Sequence, residues 1–361
     1  MTGERVFGMG ETPTAEATWP ALTEDEIAEA VAGAWPGLAA AEITWRSARP
    51  LSSTVGVRTA DGIDLVVKRV PARLRDPAAL AEEHRFMDHV RGNGIPVPEA
   101  RTATQPSLGA AFVYEVQRAG EGQDRYRADF SWSPYAAGDA AGAGRMLARL
   151  HVAAAGFDAP ARPARPLLAS MHGGVVRAVE WHIARRPAVA EFLTYRDWRA
   201  EVRDLEVDLS AVEPLWTHGD WHGTNLLWRG HEVSTVFDFG LADRTTAMFD
   251  LATAIERAAV DWVSLRNGGA PDVREDQIRA LIEGYRSVRP LPPAERRLLP
   301  DLLPLVHLGY ELSEIDYFLT VARQPRNAEI AYRDWLLGHL DWFRTAAGQH
   351  MRGFVRDVAA G

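Results

Sequence analysis

Trp216-Thr-His218-Gly219-Asp220-Trp-His222-Gly-Thr-Asn225-Leu-Leu-Trp228, followed by Val236-Phe237-Asp238-Phe239-Gly240 and then Phe249-Asp250-Leu-Ala252, decides how this chain folds. The stretch sets an Asp on a tight turn, an Asn one loop further on, and a second Asp at the end of a short apolar strand closed by Gly. Asp220, Asn225 and Asp238 are expected to converge. Mg²⁺ takes oxygen ligands and keeps several waters, so an Asn amide and an Asp carboxylate flanking a nucleotide's phosphates suit it. The other Asp is then free to accept the proton of a substrate hydroxyl. That is the chemistry of phosphoryl transfer. The alternation His218-x-Asp220-x-His222 also offers ordinary zinc ligands and would suit a metallohydrolase, but no further His or Asp follows at a usual ligand spacing. Asp-Phe-Gly alone is a common turn, and the joint pattern says far more than its parts.

The string HGDWHGTN, followed by FDFG and FDLA, resembles the aminoglycoside phosphotransferase and choline kinase family, small-molecule kinases built on the protein-kinase-like fold. The resemblance implies an α+β, bilobal chain, with a small N-lobe of antiparallel sheet and one helix and a larger, mostly helical C-lobe. It implies Asp220 as catalytic base, Asn225 and Asp238 as Mg²⁺ ligands, and His218 and Gly219 as residues that shape the loop. Asp250 is then a structural helix cap that braces the catalytic loop.

Composition narrows the field. At 361 residues the chain can hold two lobes with sizeable cores. A formal charge of −9 and a pI near 5.7, without a clustered basic patch, argue against nucleic-acid or anionic-membrane partners. There is no cysteine, hence no disulfide framework, thiol nucleophile or cysteine metal site. No apolar run is long enough to span a bilayer, and the start lacks the hydrophobic region of a signal peptide, so a cytoplasmic location is expected. Among 40 Lys and Arg residues there is a single lysine, Lys68. A compact ammonium reaches phosphate oxygens as a point charge where the wider guanidinium fork demands a different pocket.

Residues 1–22 have little apolar periodicity and read as a mobile tail. Thr23-Glu-Asp-Glu26 is a capping box that starts a helix ending near Gly33. Strands are expected over 43–49 and 54–59, joined by Pro50-Leu-Ser52-Ser53. This is the place of a nucleotide-covering loop in which Ser52, Ser53 and Thr54 offer hydroxyls and amides, or of a plain hairpin loop. Asp61-Gly62 marks a tight turn before a strand over 63–70, whose alternation puts Ile63, Leu65 and Val67 on one face and Val66 and Lys68 on the other. Asp76-Pro77 opens a helix that Gly92-Asn93-Gly94 stops. Glu82 and Glu83 on it are candidates to pair with Lys68, and the resemblance favours Glu83. Two further strands, over 99–104 and 111–117, lead to the glycine-broken Arg118–Gly122, where the lobe boundary is placed: N-lobe 23–117, C-lobe 118–361. In a kinase-like fold the adenine meets backbone groups near Glu115 to Gln117.

Beyond the boundary the chain reads as helices over 134–155, 175–184 and 188–207. After the catalytic stretch come 251–266, 275–288, 294–318 with a break at Pro304, and 327–345. His151 reads as a core-edge residue. The resembling family builds its acceptor pocket on the helices that follow the catalytic loop. Here those helices carry Glu256, Asp261, Trp262, Glu311 and Glu314, with His222 on the loop itself. Carboxylates suit a cationic or polyhydroxyl acceptor, and aromatics stack on sugar or amine faces. The expected activity is therefore Mg²⁺-dependent transfer of the γ-phosphoryl group of ATP or GTP to a hydroxyl of a small molecule. Antibiotic resistance, biosynthesis and amino-alcohol-type metabolism fit this pattern equally. The rival classes are the metallohydrolase, a non-catalytic nucleotide-binding protein of the same fold, and a kinase of macromolecules. Intact Lys68, Asn225, Asp220 and Asp238 argue against an inactive relative.

Overall fold

The capping box forms as its spacing predicts. Thr23 Oγ1 accepts from the Glu26 N–H, and the Glu26 carboxylate accepts from the Thr23 N–H at 2.8 Å, opening helix α1 (Glu24–Ala34). The other Glu26 oxygen accepts from Arg69 and from the Tyr114 hydroxyl, each at 2.7 Å, so the same residue pins the helix to the sheet beneath it. The computed structural model describes residues 19–47, 52–103, 111–126, 134–162, 175–205, 207–266 and 268–361.

The sheet consists of β1 (Ala40–Arg46), β2 (Ser53–Thr59), β3 (Asp64–Pro71), β4 (Ala100–Ala103) and β5 (Phe112–Arg118), antiparallel in the order β1-β2-β3-β5-β4. Period-two alternation sorts its faces. Leu65 and Val67 join Val55, Val57 and Val116 under Ile27 and Val31 of α1 in a separate apolar cluster. Lys68 points to the other face, opposite Thr54 on β2 and Glu115 on β5. Helix α2 (Pro77–Gly92) is capped by Asp76, which accepts from the Ala79 N–H at 2.8 Å. Phe86, Met87 and Val90 on α2 belong to the large core of the second lobe. Phe86 packs on Phe157, Trp216 and Phe239, and burial of such a side chain stabilises by about 1.5–3 kcal/mol. The lobes are thereby joined by apolar contact directly beside the catalytic stretch.

The second lobe contains helices α3 (Asp139–Ala153), α4 (Val175–Arg185), α5 (Pro187–Leu193) and α6 (Trp198–Val202). Two ribbons follow: β6 (Pro214–Thr217) pairs with β9 (Asp243–Thr246), and β7 (Leu226–Arg229) with β8 (Glu232–Val236). The remaining helices are α7 (Ala247–Ala259), α8 (Trp262–Arg266), α9 (Glu275–Val288), α10 (Pro293–Leu302), α11 (Val306–Thr320), α12 (Pro325–Ile330), α13 (Gly338–Arg344) and α14 (Ala346–Ala360). Among the described residues no helix is long and apolar enough to cross a membrane.

Several expectations are corrected. Residues 1–18 lie outside the described residues, but Trp19–Leu22 is docked rather than loose: Trp19 meets the edge of Phe112, Leu22 is buried, and the Pro20 carbonyl accepts from Ser53 at 2.8 Å and from Arg69. The helix expected over 188–207 is two helices, because Asp197 caps a new start by accepting from Ala200 N–H. The one expected over 251–266 starts earlier, at the Thr246 cap, and breaks at Val260, which makes a β-bridge with Val273. The break expected at Pro304 is present: lacking an N–H, Pro304 sits in a short 3-10 turn between α10 and α11. The stretch over 327–345 becomes α12, a π-helical segment over 331–337, and α13. The last expected helix ends at Thr345, yet Thr345 caps a further helix, α14, by accepting from the Gly348 N–H.

Candidate active site

The loop between β6 and β7 is built around Asp250. Its two carboxylate oxygens accept the His218 N–H at 3.0 Å and the Gly219 N–H at 2.9 Å, while His151 on α3 donates to it at 3.0 Å. His151 also receives the Tyr285 hydroxyl at 2.7 Å. Burial alone would raise the Asp250 pKa, but His151, His218 and the Gly219 amide outweigh it and hold the group ionised. Thr246, not Asp250, caps α7. Asp250 braces the loop from the helix's first turn. Gly219 has φ +77°, and a Cβ there would strike the Leu241 carbonyl, so the turn requires glycine.

His218 is spent on this scaffold. Its Nε2–H donates to the Phe237 carbonyl at 3.0 Å and its Nδ1 accepts the Asp220 N–H at 3.2 Å. With both ring nitrogens held by backbone, His218 cannot serve as a zinc ligand, and the His218/Asp220/His222 metallohydrolase reading fails.

Asp220 emerges between two nitrogen donors. The Asn225 amide nitrogen donates to the Asp220 carbonyl at 2.9 Å and to its Oδ2 at 3.1 Å; Arg257 on α7 donates to Oδ1 at 2.6 Å. His222 Nε2 lies 3.3 Å from Oδ1 and 3.2 Å from the Asn225 nitrogen. Burial would raise the Asp220 pKa, yet Arg257, His222 and His218 hold it well below the usual carboxylate range. Because the Asn225 nitrogen faces Asp220 and His222, its amide oxygen is turned to the other side, where it can accept or ligate a cation.

Asp238 adopts the left-handed conformation, φ 61° and ψ 66°, uncommon for a residue with a side chain and frequent at functional positions. Lys68 Nζ donates to its Oδ1 at 2.8 Å. Arg75, from the turn between β3 and α2, comes so close to Gly240 that a Cβ there would overlap its guanidinium. Lys68 and Arg75 together override burial and lower the Asp238 pKa. Phe237 N–H donates to the Asn225 carbonyl at 3.1 Å, tying the two strands of the site together.

The expected Lys68–Glu83 pair is not present. Glu83 is buried against Arg162, whose Nη2 donates at 2.5 Å, with Arg75 Nε at 3.2 Å. Two guanidinium groups outcompete one ammonium for that carboxylate, and Lys68 takes Asp238 instead. Ser53 is turned away from the site, donating to the Pro20 carbonyl, whereas Ser52 and Thr54 lie on the Lys68 face with their hydroxyls 3.3 Å apart. Positions 48–51 of that loop lie outside the described residues. Glu115 accepts from His84 on α2 at 3.0 Å, so its side chain braces α2, and Gln117 is in register with Val66.

The acceptor candidates divide. Asp261 caps its own turn through Ser264. Glu256 is fully buried against His307 and His339, and Trp262 packs over the His339 ring with centroids 3.9 Å apart. Glu256 and Trp262 are thus spent on packing inside the helices, and Asp261 on its own turn. Glu311 and Glu314 are also buried, and burial raises both, Glu314 further because Glu311 lies beside it. They connect to Asp220 through Tyr310 and Arg257, which are in cation–π contact.

Arg75, Arg162 and Arg257 escaped the sequence reading. A signal for Arg257 was present: it lies two helical turns after Asp250, on the helix face that braces the loop.

A model of the phosphotransferase enzyme family matches residues 48–291. The chain belongs to the phosphotransferase enzyme family. Within it, this family member is 30% identical over 177 residues to the homoserine kinase of Methylobacillus glycogenes, covering 48% of this chain and 50% of the relative. It is 25% identical over 260 residues to the homoserine kinase of Polaromonas naphthalenivorans, covering 67% and 71%. For the Methylobacillus glycogenes enzyme and its relatives in Methylobacillus flagellatus and Janthinobacterium, the match spans about half of the relative's length. In fold, the family member is similar to an amicoumacin kinase solved with AMP-PNP and Ca²⁺, with TM-score 0.53 and 14% identity over 87% of this chain and 93% of that one. It is also similar to a type I macrolide 2'-phosphotransferase, with TM-score 0.51 and 15% identity over 87% and 97%. At such identities the likeness establishes the bilobal protein-kinase-like fold.

Proposed function

We propose that this chain is a small-molecule kinase that transfers the γ-phosphoryl group of ATP or GTP to a hydroxyl of an amine-bearing acceptor. The observation that carries the reading is the convergence of Lys68 on β3, Asp220 and Asn225 on the β6–β7 loop, and Asp238 after β8, with Lys68 Nζ 2.8 Å from Asp238 and the Asn225 amide nitrogen 3.1 Å from Asp220. Family membership and the homoserine kinase relatives support it.

Lys68 and Arg75 present positive charge to the phosphates. The free amide oxygen of Asn225 and the Asp238 carboxylate are hard oxygen donors of the kind Mg²⁺ takes, so the pair fits that ion. When bound, the metal neutralises charge on the phosphate oxygens. Asp220 orients the acceptor hydroxyl. As the hydroxyl oxygen bonds to the γ-phosphorus and the bond to the β,γ-bridging oxygen breaks, the hydroxyl proton passes to Asp220. A carboxylate held so far below its usual range is a weak base. It suits a loose transition state, in which the proton leaves late. Arg257 keeps it ionised and aimed. An acceptor ammonium entering beside Glu311 and Glu314, which are buried beyond Tyr310 and driven toward the neutral form, would draw them to ionise and pair with it.

The test is a panel of amino alcohols, homoserine and amine-bearing antibiotics assayed for ADP release with Mg²⁺, with the phosphorylated product identified by mass. Acceptor-dependent release with a monophosphate ester as product supports the reading. Release that does not depend on any acceptor, or none at all, contradicts it.

A further inference from the structure

Three helices distant in sequence bring Glu256 (α7), His307 (α11) and His339 (α13) together, with one ligand atom from each lying within 4.8 Å of the others. Glu256 Oε1 is 2.5 Å from His307 Nε2 and 3.5 Å from His339 Nε2. Glu256 is fully buried, His339 is 1% exposed and His307 is 9%. Both imidazoles are fixed from behind. His307 Nδ1–H donates to Glu311 at 3.3 Å, and His339 Nδ1–H donates to the Trp335 carbonyl. Each ring therefore turns its Nε2 inward, toward Glu256.

Both Glu256 oxygens, His307 Nε2 and His339 Nε2 are buried and reach no hydrogen-bond partner outside the cluster; within it, Glu256 and His307 meet at ion-pair distance. A buried carboxylate is costly unless a cation joins it, either a protonated imidazole at the 2.5 Å contact or a metal ion held by both rings. Imidazoles whose outer nitrogens donate to a carboxylate and a backbone carbonyl, with inner nitrogens converging on a carboxylate, form the ligand set and surrounding shell of a transition-metal site. Trp262, Trp342 and Phe343 wall one side with aromatic rings.

We infer that Glu256, His307 and His339 form a structural binding site for a divalent transition metal such as Zn²⁺, separate from the nucleotide-metal residues Asn225 and Asp238. The ion ties α7, α11 and α13 together, and the residue next to Glu256 on α7 is Arg257, the partner of Asp220. Occupancy opens the present stacking of the two imidazoles, whose centroids are 3.9 Å apart at 22°, so that both lone pairs meet one ion.

The experiment uses the full chain, stripped with chelator, then given Zn²⁺ and desalted, with retained metal counted by mass spectrometry. Co²⁺ is added in parallel for its absorption spectrum. The wild type should retain one Zn²⁺ per chain and show the intense visible bands of four-coordinate Co²⁺. Glu256→Gln and His339→Gln, if folded by circular dichroism, should each lower retention roughly tenfold or more. Asp238→Asn should retain the ion unchanged. The inference is overturned if the wild type gives neither retention nor Co²⁺ bands, which means that the cluster holds protons only. It is equally overturned if the cluster variants retain Zn²⁺ as well as the wild type does, or if Asp238→Asn abolishes binding.

Discussion

Asp220, Asp238 and Asp250 meet backbone N–H groups, Arg257, Lys68, Arg75 or His151, and all are driven toward the ionised form. Glu311 and Glu314, one helix away, keep three buried carboxylate oxygens without a hydrogen-bond partner, and both are driven toward the neutral form. The loop is electrostatically complete within the chain itself. The helical wall behind it is not, and strongly perturbed buried acids cluster at functional sites.

The sharpest way to break this contrast is to remove the loop's brace. Asp250→Ala leaves two buried loop N–H groups and His151 without their acceptor, and at about 1–3 kcal/mol for each unsatisfied group the loss should be about 3 kcal/mol or more. Chemical denaturation checks it, and an unchanged midpoint would mean that the loop stands without Asp250. The N-lobe tests the same principle with a second saturated carboxylate. Burial would raise Glu26, but the Thr23 amide, Tyr114 and Arg69 lower it from its ordinary 4.5 to about 2. A depressed acid contributes stability above pH 4.5 and loses it as the pH falls toward 2. The contribution is at most about 3 kcal/mol at about 1.4 kcal/mol per pKa unit. Glu26→Gln should be destabilised near neutrality, with the gap to the wild type closing between pH 4.5 and 2. A gap independent of pH would show that Glu26 acts by packing alone.

The wall should answer with the opposite sign and the smallest size. Glu314 has a raised pKa, so its folded form holds a proton that the unfolded chain releases above pH 4.5, and wild-type stability falls as the pH climbs from there. Glu314→Gln fixes the neutral form and should gain about 1 kcal/mol relative to the wild type as the pH rises above 4.5, while weakening binding of an amine acceptor. Thermal melts across that range, with acceptor titration, read both effects.

Where signals were local, the sequence was readable. The capping box at Thr23, the alternation that puts Lys68 opposite Leu65 and Val67, and the Asp76-Pro77 helix start all rest on neighbours within a few residues. The convergence of Asp220, Asn225 and Asp238 was legible because their spacing is tight. What failed was long-range choice among equals. Apart from Lys68, Lys and Arg positions are all arginine, so nothing marked Arg75 and Arg162 as entering the site, and only the two-turn spacing from Asp250 marked Arg257. The Lys68–Glu83 pairing was lost for that reason: two arginines unseen in the sequence claimed Glu83. Breaks at Val260 and Thr194–Asp197 depended on a bridge and a cap that periodicity does not register.

The account stands most directly on Asp220→Asn, measured by nucleotide titration and by steady-state turnover of an acceptor that the wild type phosphorylates. Nucleotide–Mg²⁺ affinity should stay within a few-fold of wild type while kcat falls about 10²- to 10⁴-fold, the range of a positioned base. An unchanged kcat would remove Asp220 from the chemistry and contradict the proposed function of the site.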